Sequence, residues 1–210
     1  TLLAQVDAAV GGKVAVDLPE GKNLVGAFHQ PRGVIIDTLT LNSLPARQLG
    51  SGLAEAIKHA AIADAELFSF LERNMAGIEA RDPHLLRHLL QRNCQIKASI
   101  VSRDPREEGL RAVLNVGHTI GHALEASSDW RMSHGEGVAL GMVAETQLGV
   151  DLGRCAEDDL RRLEALLKAA GLGGGAELAD GPRARAALAR DKKVRDGRLR
   201  LPLVTEIGAV

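Results

Sequence analysis

At Pro45 the chain changes character, and that change limits its fold more than any other feature. Residues 1–45 are rich in β-branched residues and turn formers. From residue 46 onward Ala, Leu, Glu, Arg and Lys dominate and the apolar positions recur at helical spacing. A period near 3.6 residues gives a helix one buried face, whereas strands need short runs or a period of two. The expected fold is therefore mainly α: a strand-and-loop segment over 1–45 leading into a helical domain over 46–210.

Within the first segment, Gly11-Gly12, Pro19-Glu20-Gly21 and Pro31-Arg32-Gly33 separate short apolar runs. Residues 34–36 read as a buried strand ending at Asp37, and residues 40–45 as a linker. One helical region is predicted over 46–73, broken near Gly50 and Gly52. Another starts at Pro83 behind Asp82 as N-cap. Its stripe of Leu86, Leu90 and Cys94, widened by Leu85, Leu89, Ile96 and Ile100, makes Cys94 a packing residue. Further helices are expected over 111–127, 134–152, 157–170 and 182–193, with a terminal strand over 198–204 after the turn Asp196-Gly197. The glycine run 171–175 follows a helix and lacks a Lys-Ser/Thr ending, so it reads as a C-cap and linker rather than a phosphate loop.

Composition narrows the function. The 210 residues suffice for one large domain, or one domain and part of another, with a substantial core. Lys+Arg at 26 against Asp+Glu at 27 leaves no basic field to attract nucleic acid. Two cysteines are too few for a disulfide scaffold or a four-thiolate zinc site and fit a reducing cytosol. No apolar run reaches the roughly 18 residues of a membrane span. The start lacks both a Met and the basic flank of a signal peptide, which reads as a partial polypeptide without its upstream neighbour.

The most specific stretch is Arg111-Ala-Val-Leu-Asn115-Val-Gly-His118-Thr-Ile-Gly-His122-Ala-Leu-Glu125, followed by Ser133-His134-Gly135-Glu136. On a helix His118 and His122 share a face, and His134 at the next helix start can fold back toward them. Imidazole nitrogens suit zinc, which in catalytic sites takes three protein ligands and keeps one position open. Two histidines at helical spacing are also ordinary on many helices. Gly117 and Gly121, costly in a helix, point to close backbone approach, and Arg111 and Asn115 put polar groups where a packing helix would carry Leu. Glu55 and Lys58 share a face in Gly52-Leu-Ala-Glu55-Ala-Ile-Lys58-His59, as a candidate carboxylate or as a plain exposed ion pair. Lys13 and Lys22 each follow glycine in turns that suit anions, or in hairpin turns with exposed lysines. Asp191-Lys192-Lys193 reads as a charged helix end.

Taken in order, the motifs at 7–13, 21–23, 52–58, 111–125, 134–142 and 191–193 resemble the 3-dehydroquinate synthase family, over almost the whole chain. The resemblance implies a helical metal-binding domain preceded by the tail of an α/β nucleotide-binding domain. It implies that Glu55, His118 and His134 hold Zn2+ or Co2+, with His122 turned toward substrate, whereas spacing alone pairs His118 with His122. It also implies catalytic roles for Lys58, Lys97, Arg111, Asn115 and His122. Asp7, Lys13, Asn23 and Lys192, with Lys193 as rival, are implied to bind substrate, and Lys13, Lys22, Thr40, Leu41, Asn42 and Ser43 to contact NAD.

The implied reaction converts 3-deoxy-D-arabino-heptulosonate 7-phosphate to 3-dehydroquinate and phosphate in the shikimate pathway. Transient oxidation by NAD, phosphate elimination, re-reduction and aldol closure follow one another, in a cytoplasmic homodimer. Two positions depart from the family pattern: Asp17 stands for a frequent Asn, and Lys58-His59-Ala-Ala for Lys-Tyr-Gly. The family's glycine-rich pyrophosphate loop is also missing, so this piece should bind NAD poorly. The alternatives are another sugar-phosphate cyclase, a metal-dependent polyol dehydrogenase of the same architecture, or an inactive metal-binding fragment.

Overall fold

The computed structural model describes residues 1–18, 21–129, 131–189, 194–195 and 198–210, with the backbone alone at 17, 21–24, 194–195 and 198–199. Its centre is helix α1 (Ala46–Ala63), which is buried almost continuously from Leu49 to Ile62. Helices α2 (Ala65–Glu79), α3 (Pro83–Arg103), α5 (His134–Asp151) and α6 (Glu157–Ala169) pack around it, while α4 (His118–Ser127) lies between α5 and α7 (Gly181–Ala189). Such a helix, surrounded on all sides, can only be one whose polar residues are paired inside.

The helical region 46–73 breaks at Asp64, not at the glycines. Asp64 leaves helical geometry, accepts the amide of Leu67 at 3.0 Å to cap α2, and receives Arg92 at 2.6 Å. Gly50 and Gly52 stay helical. A Cβ on Gly52 would lie 2.6 Å from Leu2 Cβ, so this glycine admits the N-terminal segment, which docks through Leu2 and, from the turn Ala4–Ala8, Val6. Asp82 caps α3 through the amides of His84 and Leu85, as its position before Pro83 predicts.

Strand β1 (Lys13–Leu18) pairs antiparallel with β2 (Gly21–Phe28), Lys13 opposite Phe28 and Val16 opposite Val25. This hairpin leaves Val14, Val16, Val25 and Phe28 more than half exposed. Residues 34–36 form no strand: among the described residues no strand lies beside them to complete a ladder, and Ile35 is 98% exposed. A short 3₁₀ turn, Thr38–Leu41, then buries Leu41 completely.

The predicted helix over 111–127 is two elements. Leu110–Asn115 is a 3₁₀ turn, and Gly117 at φ +77° reverses the backbone before α4 begins at His118. The terminal strand over 198–204 shrinks to β4 (Arg198–Leu199), paired with β3 (Val194–Arg195). Val204 instead joins the core. The end of the predicted helix over 182–193 and the turn at Asp196-Gly197 lie outside the described residues. Gly171 at φ +73° closes α6, in keeping with a C-cap. Among the described residues no helix is long and apolar enough to cross a membrane.

Candidate metal centre and adjoining cleft

Three elements meet at Glu55. Its carboxylate, fully buried on α1, presents Oε1 to Nε2 of His118 at 3.2 Å and to Nε2 of His134 at 3.3 Å, while Oε2 accepts from the ammonium of Lys58. The Glu55–Lys58 pair is thus buried, not an exposed surface pair. His118 stands at the start of α4 and His134 at the start of α5, where Ser133 and Glu136 form a capping box that fixes the helix entry. Each ring commits its other nitrogen to an acceptor: Nδ1 of His118 faces the Val116 carbonyl at 3.1 Å, and Nδ1 of His134 faces Glu125 Oε1 at 2.9 Å. Both rings thus turn Nε2 to one carboxylate oxygen, where a shared cation could take the two Nε2 lone pairs and the carboxylate together.

The electrostatics agree with a cation site. Burial alone would raise the Glu55 carboxyl, but Lys58, His118 and His134 outweigh it and hold it well below the usual carboxylate range. Burial lowers His134, yet hydrogen bonds to Glu125 and Glu55 carry it to about 9, so without a cation this ring keeps a proton. One carboxylate and two imidazoles within 4.8 Å of one another match the donor set and ligand count of a catalytic zinc site. His122, Glu125 and His134 form a second such group. The His134 Nε2 that faces Glu55 and the Glu125 oxygen already bonded to His134 Nδ1 make it the lesser candidate. His122 is exposed, its ring 5.3 Å from that of His118.

Beside this centre a cleft of about 670 Å³ is lined by Asp7, Lys13, Lys97 and Arg111 together with hairpin residues such as Phe28. Buried Lys97 bonds to the Asp7 carboxylate at 2.6 Å. Asp104 supports Arg111 from behind: its carboxylate accepts the amides of Glu108, Gly109 and Arg111, which fixes the loop that delivers Arg111. Arg111 itself is buried, and one Nη donates to the Pro105 carbonyl at 3.0 Å. Lys13 and Asn115 both donate to Glu107, Asn115 at 2.9 Å. Burial would raise Glu107, but Lys13 and Asn115 bring it down.

The remaining expected site residues are scattered. Thr40 accepts from Gln5 at 3.1 Å, Leu41 is buried in the core, and Asn42 and Ser43 are exposed, so a cofactor could meet this segment only through its backbone and polar side chains. The side chains of Lys22 and Asn23, and Lys192 and Lys193 altogether, lie outside the described residues. Sequence reasoning assigned no role to Glu125 or Glu107. Glu125 stands seven residues after His118, on the same helical face, and that spacing could have marked it. Glu107 sits in a loop at φ +60° and carries no such signal.

Comparisons with known proteins identify the family. A family model described as 3-dehydroquinate synthase C-terminal matches residues 52–194, and one described as 3-dehydroquinate synthase N-terminal matches residues 1–51. A 3-dehydroquinate synthase of Nostoc punctiforme is 49% identical over all of this chain and 59% of its own length; that of Citrifermentans bemidjiense is 46% identical over all of this chain and 61% of its own. The chain thus spans about three fifths of the curated relatives it matches. Among solved structures, a 2-epi-5-epi-valiolone synthase from Streptomyces hygroscopicus with NAD+ and Zn2+ bound superposes with a TM-score of 0.90 at 32% identity, covering 100% of this chain and 59% of that one. A 2-deoxy-scyllo-inosose synthase complexed with carbaglucose-6-phosphate, NAD+ and Co2+ gives 0.88 at 28%, covering 99% and 57%.

Proposed function

Because the chain belongs to the 3-dehydroquinate synthase family, we propose that it carries the metal- and substrate-binding part of an enzyme converting 3-deoxy-D-arabino-heptulosonate 7-phosphate to 3-dehydroquinate and phosphate. One observation carries this reading: Glu55 Oε1 lies within 3.3 Å of Nε2 of both His118 and His134. These three residues would hold Zn2+ or Co2+. When bound, the cation supplies Lewis acidity toward a substrate oxygen and NAD an acceptor for its hydride.

The chain's own residues would bind and orient the substrate. Lys13 and Asn115 are occupied by Glu107, and a phosphate entering the cleft competes for the same two donors. Arg111 and Lys97 offer cations to a substrate carboxylate, and the pairing of Lys97 with Asp7 sets where its ammonium sits. Lys58, paired with Glu55, stands at the border of metal centre and cleft, and His122 at its exposed rim. Asn23 and Lys192 would complete the substrate contacts. Lys22 and residues 40–43 would meet NAD. Residues 1–45 would then be the tail of the nucleotide-binding domain and 46–210 the metal- and substrate-binding domain, within a cytoplasmic homodimer.

The test is zinc content after dialysis, followed by phosphate release from the heptulosonate phosphate with NAD. The chain should be assayed alone and joined to the N-terminal part its relatives carry. Retention of one zinc per chain and phosphate release by the joined form are expected. A chain that retains no zinc overturns the metal centre. Turnover only of a sugar phosphate lacking the carboxylate moves the protein to a related cyclase.

A further inference from the structure

We propose that Glu145 is a positioning residue for the metal centre, acting on His118 through a single peptide group; this rests on reading Glu55, His118 and His134 as that centre. Glu145 lies on α5, eleven residues after His134, and is 0% exposed. A carboxylate taken wholly out of water is costly and has to be offset by strong hydrogen bonds. Its Oε2 accepts the amide of Gly117 at 2.6 Å. The carbonyl of that same peptide group, on Val116, faces Nδ1 of His118 at 3.1 Å.

The order is therefore carboxylate, peptide N–H, peptide carbonyl, imidazole. A carbonyl can only accept, so when Nε2 gives its lone pair to a cation shared with Glu55 the ring's one proton sits on Nδ1, toward Val116. Negative charge on the N–H side polarises the peptide and makes its carbonyl a stronger acceptor. The stronger that acceptor, the better a donor the opposite ring nitrogen becomes. His134 has the same support more directly, from Glu125 at 2.9 Å. Both imidazoles are thus backed by a buried carboxylate, one in contact and one through a peptide bond.

The backbone is shaped to permit this. Gly117 needs φ +77° to turn its N–H toward α5, and a Cβ there would lie 2.7 Å from the Val138 carbonyl. On the facing helix, a Cβ at Gly141 would lie 1.9 Å from the Gly117 carbonyl. Only glycines at both places let α5 come close enough for Glu145 to reach that amide. A purely packing role would not require charge, since a glutamine could accept the same hydrogen bond.

Zn2+ affinity measured by chelator competition on the full chain tests this, for wild type, Glu145→Gln and Glu145→Asp. Glu145→Gln keeps an acceptor without charge, and Glu145→Asp keeps charge but withdraws it by one methylene. Each should weaken Zn2+ binding by roughly 10–100-fold, as loss of a partner behind a ligand does. The imidazole 15N resonances of His118 should move in Glu145→Gln while those of His134 stay. In the zinc-loaded wild type, the His118 ring should carry its proton on Nδ1, a measurement that needs no variant to fold. Either folded variant binding Zn2+ as wild type does overturns the proposal while leaving the metal centre intact. A wild-type chain that binds no Zn2+, or whose loaded form carries a proton on His118 Nε2, removes both.

Discussion

The proposed metal centre and the Lys13 side of the cleft beside it hold their charges by opposite means. At the centre, Glu55, Glu125 and Glu145 are all buried, each on a helix and each tied to a named donor. In the cleft, Lys13 leaves a hairpin with its side chain 43% exposed, and its partner Glu107 comes from a loop at positive φ. Helices locked by glycine contacts keep donor atoms in place before a ligand arrives. Lys97 and Arg111 are buried there too, but Lys13 and Glu107 satisfy one another and can exchange partners when an anion enters. A site of this kind is rigid where an ion must be gripped and adaptable where a substrate must come and go.

The largest effect should come from the rigid side. Glu55→Ala strands the buried Lys58 ammonium and removes a metal donor; we expect loss of zinc on dialysis and a stability cost of about 3–5 kcal/mol by denaturant unfolding. Removing Lys13, on the adaptable side, should leave zinc content and unfolding midpoint unchanged. An equal response from both variants would break the contrast.

Next is the glycine contact. Gly141→Ala sets a Cβ against the Gly117 carbonyl and should cost about 3 kcal/mol, with zinc affinity falling alongside. Unaltered zinc affinity in a destabilised Gly141→Ala protein would separate packing from ligand placement.

The third prediction concerns pH. His59 on α1 is fully buried, hydrogen-bonded to Asn93 at 2.9 Å, with Asp7 at 3.8 Å and Lys58 and Glu55 nearby. Burial and then Lys58 push it from 6.5 to about 4, against the pull of Glu55 and Asp7. A depressed imidazole stabilises the fold above pH 6.5, and that contribution is lost as pH falls toward 4, because the unfolded chain takes up the proton first. Between pH 7 and 4.5 the wild type should lose about 2–3 kcal/mol through this group, and His59→Gln should show a correspondingly flatter profile in unfolding titrations.

The smallest effect belongs to the segment before α1. A Cβ on Gly33 meets nothing within 4 Å, so Gly33→Ala should change stability by no more than about 0.5 kcal/mol. A larger loss would mean that this segment is held more tightly than its exposure indicates.

Much of the helical half was legible in the sequence. Asp82 before Pro83 marks a helix start by capping chemistry alone, and the Leu86, Leu89 and Leu90 stripe marks its buried face. The His118 motif and its glycines signalled close approach, and the structure supplies the partner, α5. The glycines of α1 misled because glycine weakens a helix in isolation, yet Gly52 remains helical where Leu2 packs against it. Residues 34–36 misled because a β-branched run forms a strand only beside another strand.

Local order was set by the sequence itself: where helices start, which faces are apolar, and that histidines, a glutamate and lysines stand at spacings able to share a helical face. Tertiary structure alone brought His134, from another helix, as close to His118 as His122 is along the same one, with ring centroids 5.3 Å apart in both pairs, and set Glu55 between His118 and His134. It also decided that Glu145 stands behind His118 through a peptide bond. Spacing along one helix fixes only neighbours on that helix, whereas a three-ligand site depends on how closely separate backbones approach, and here the facing glycines set that distance.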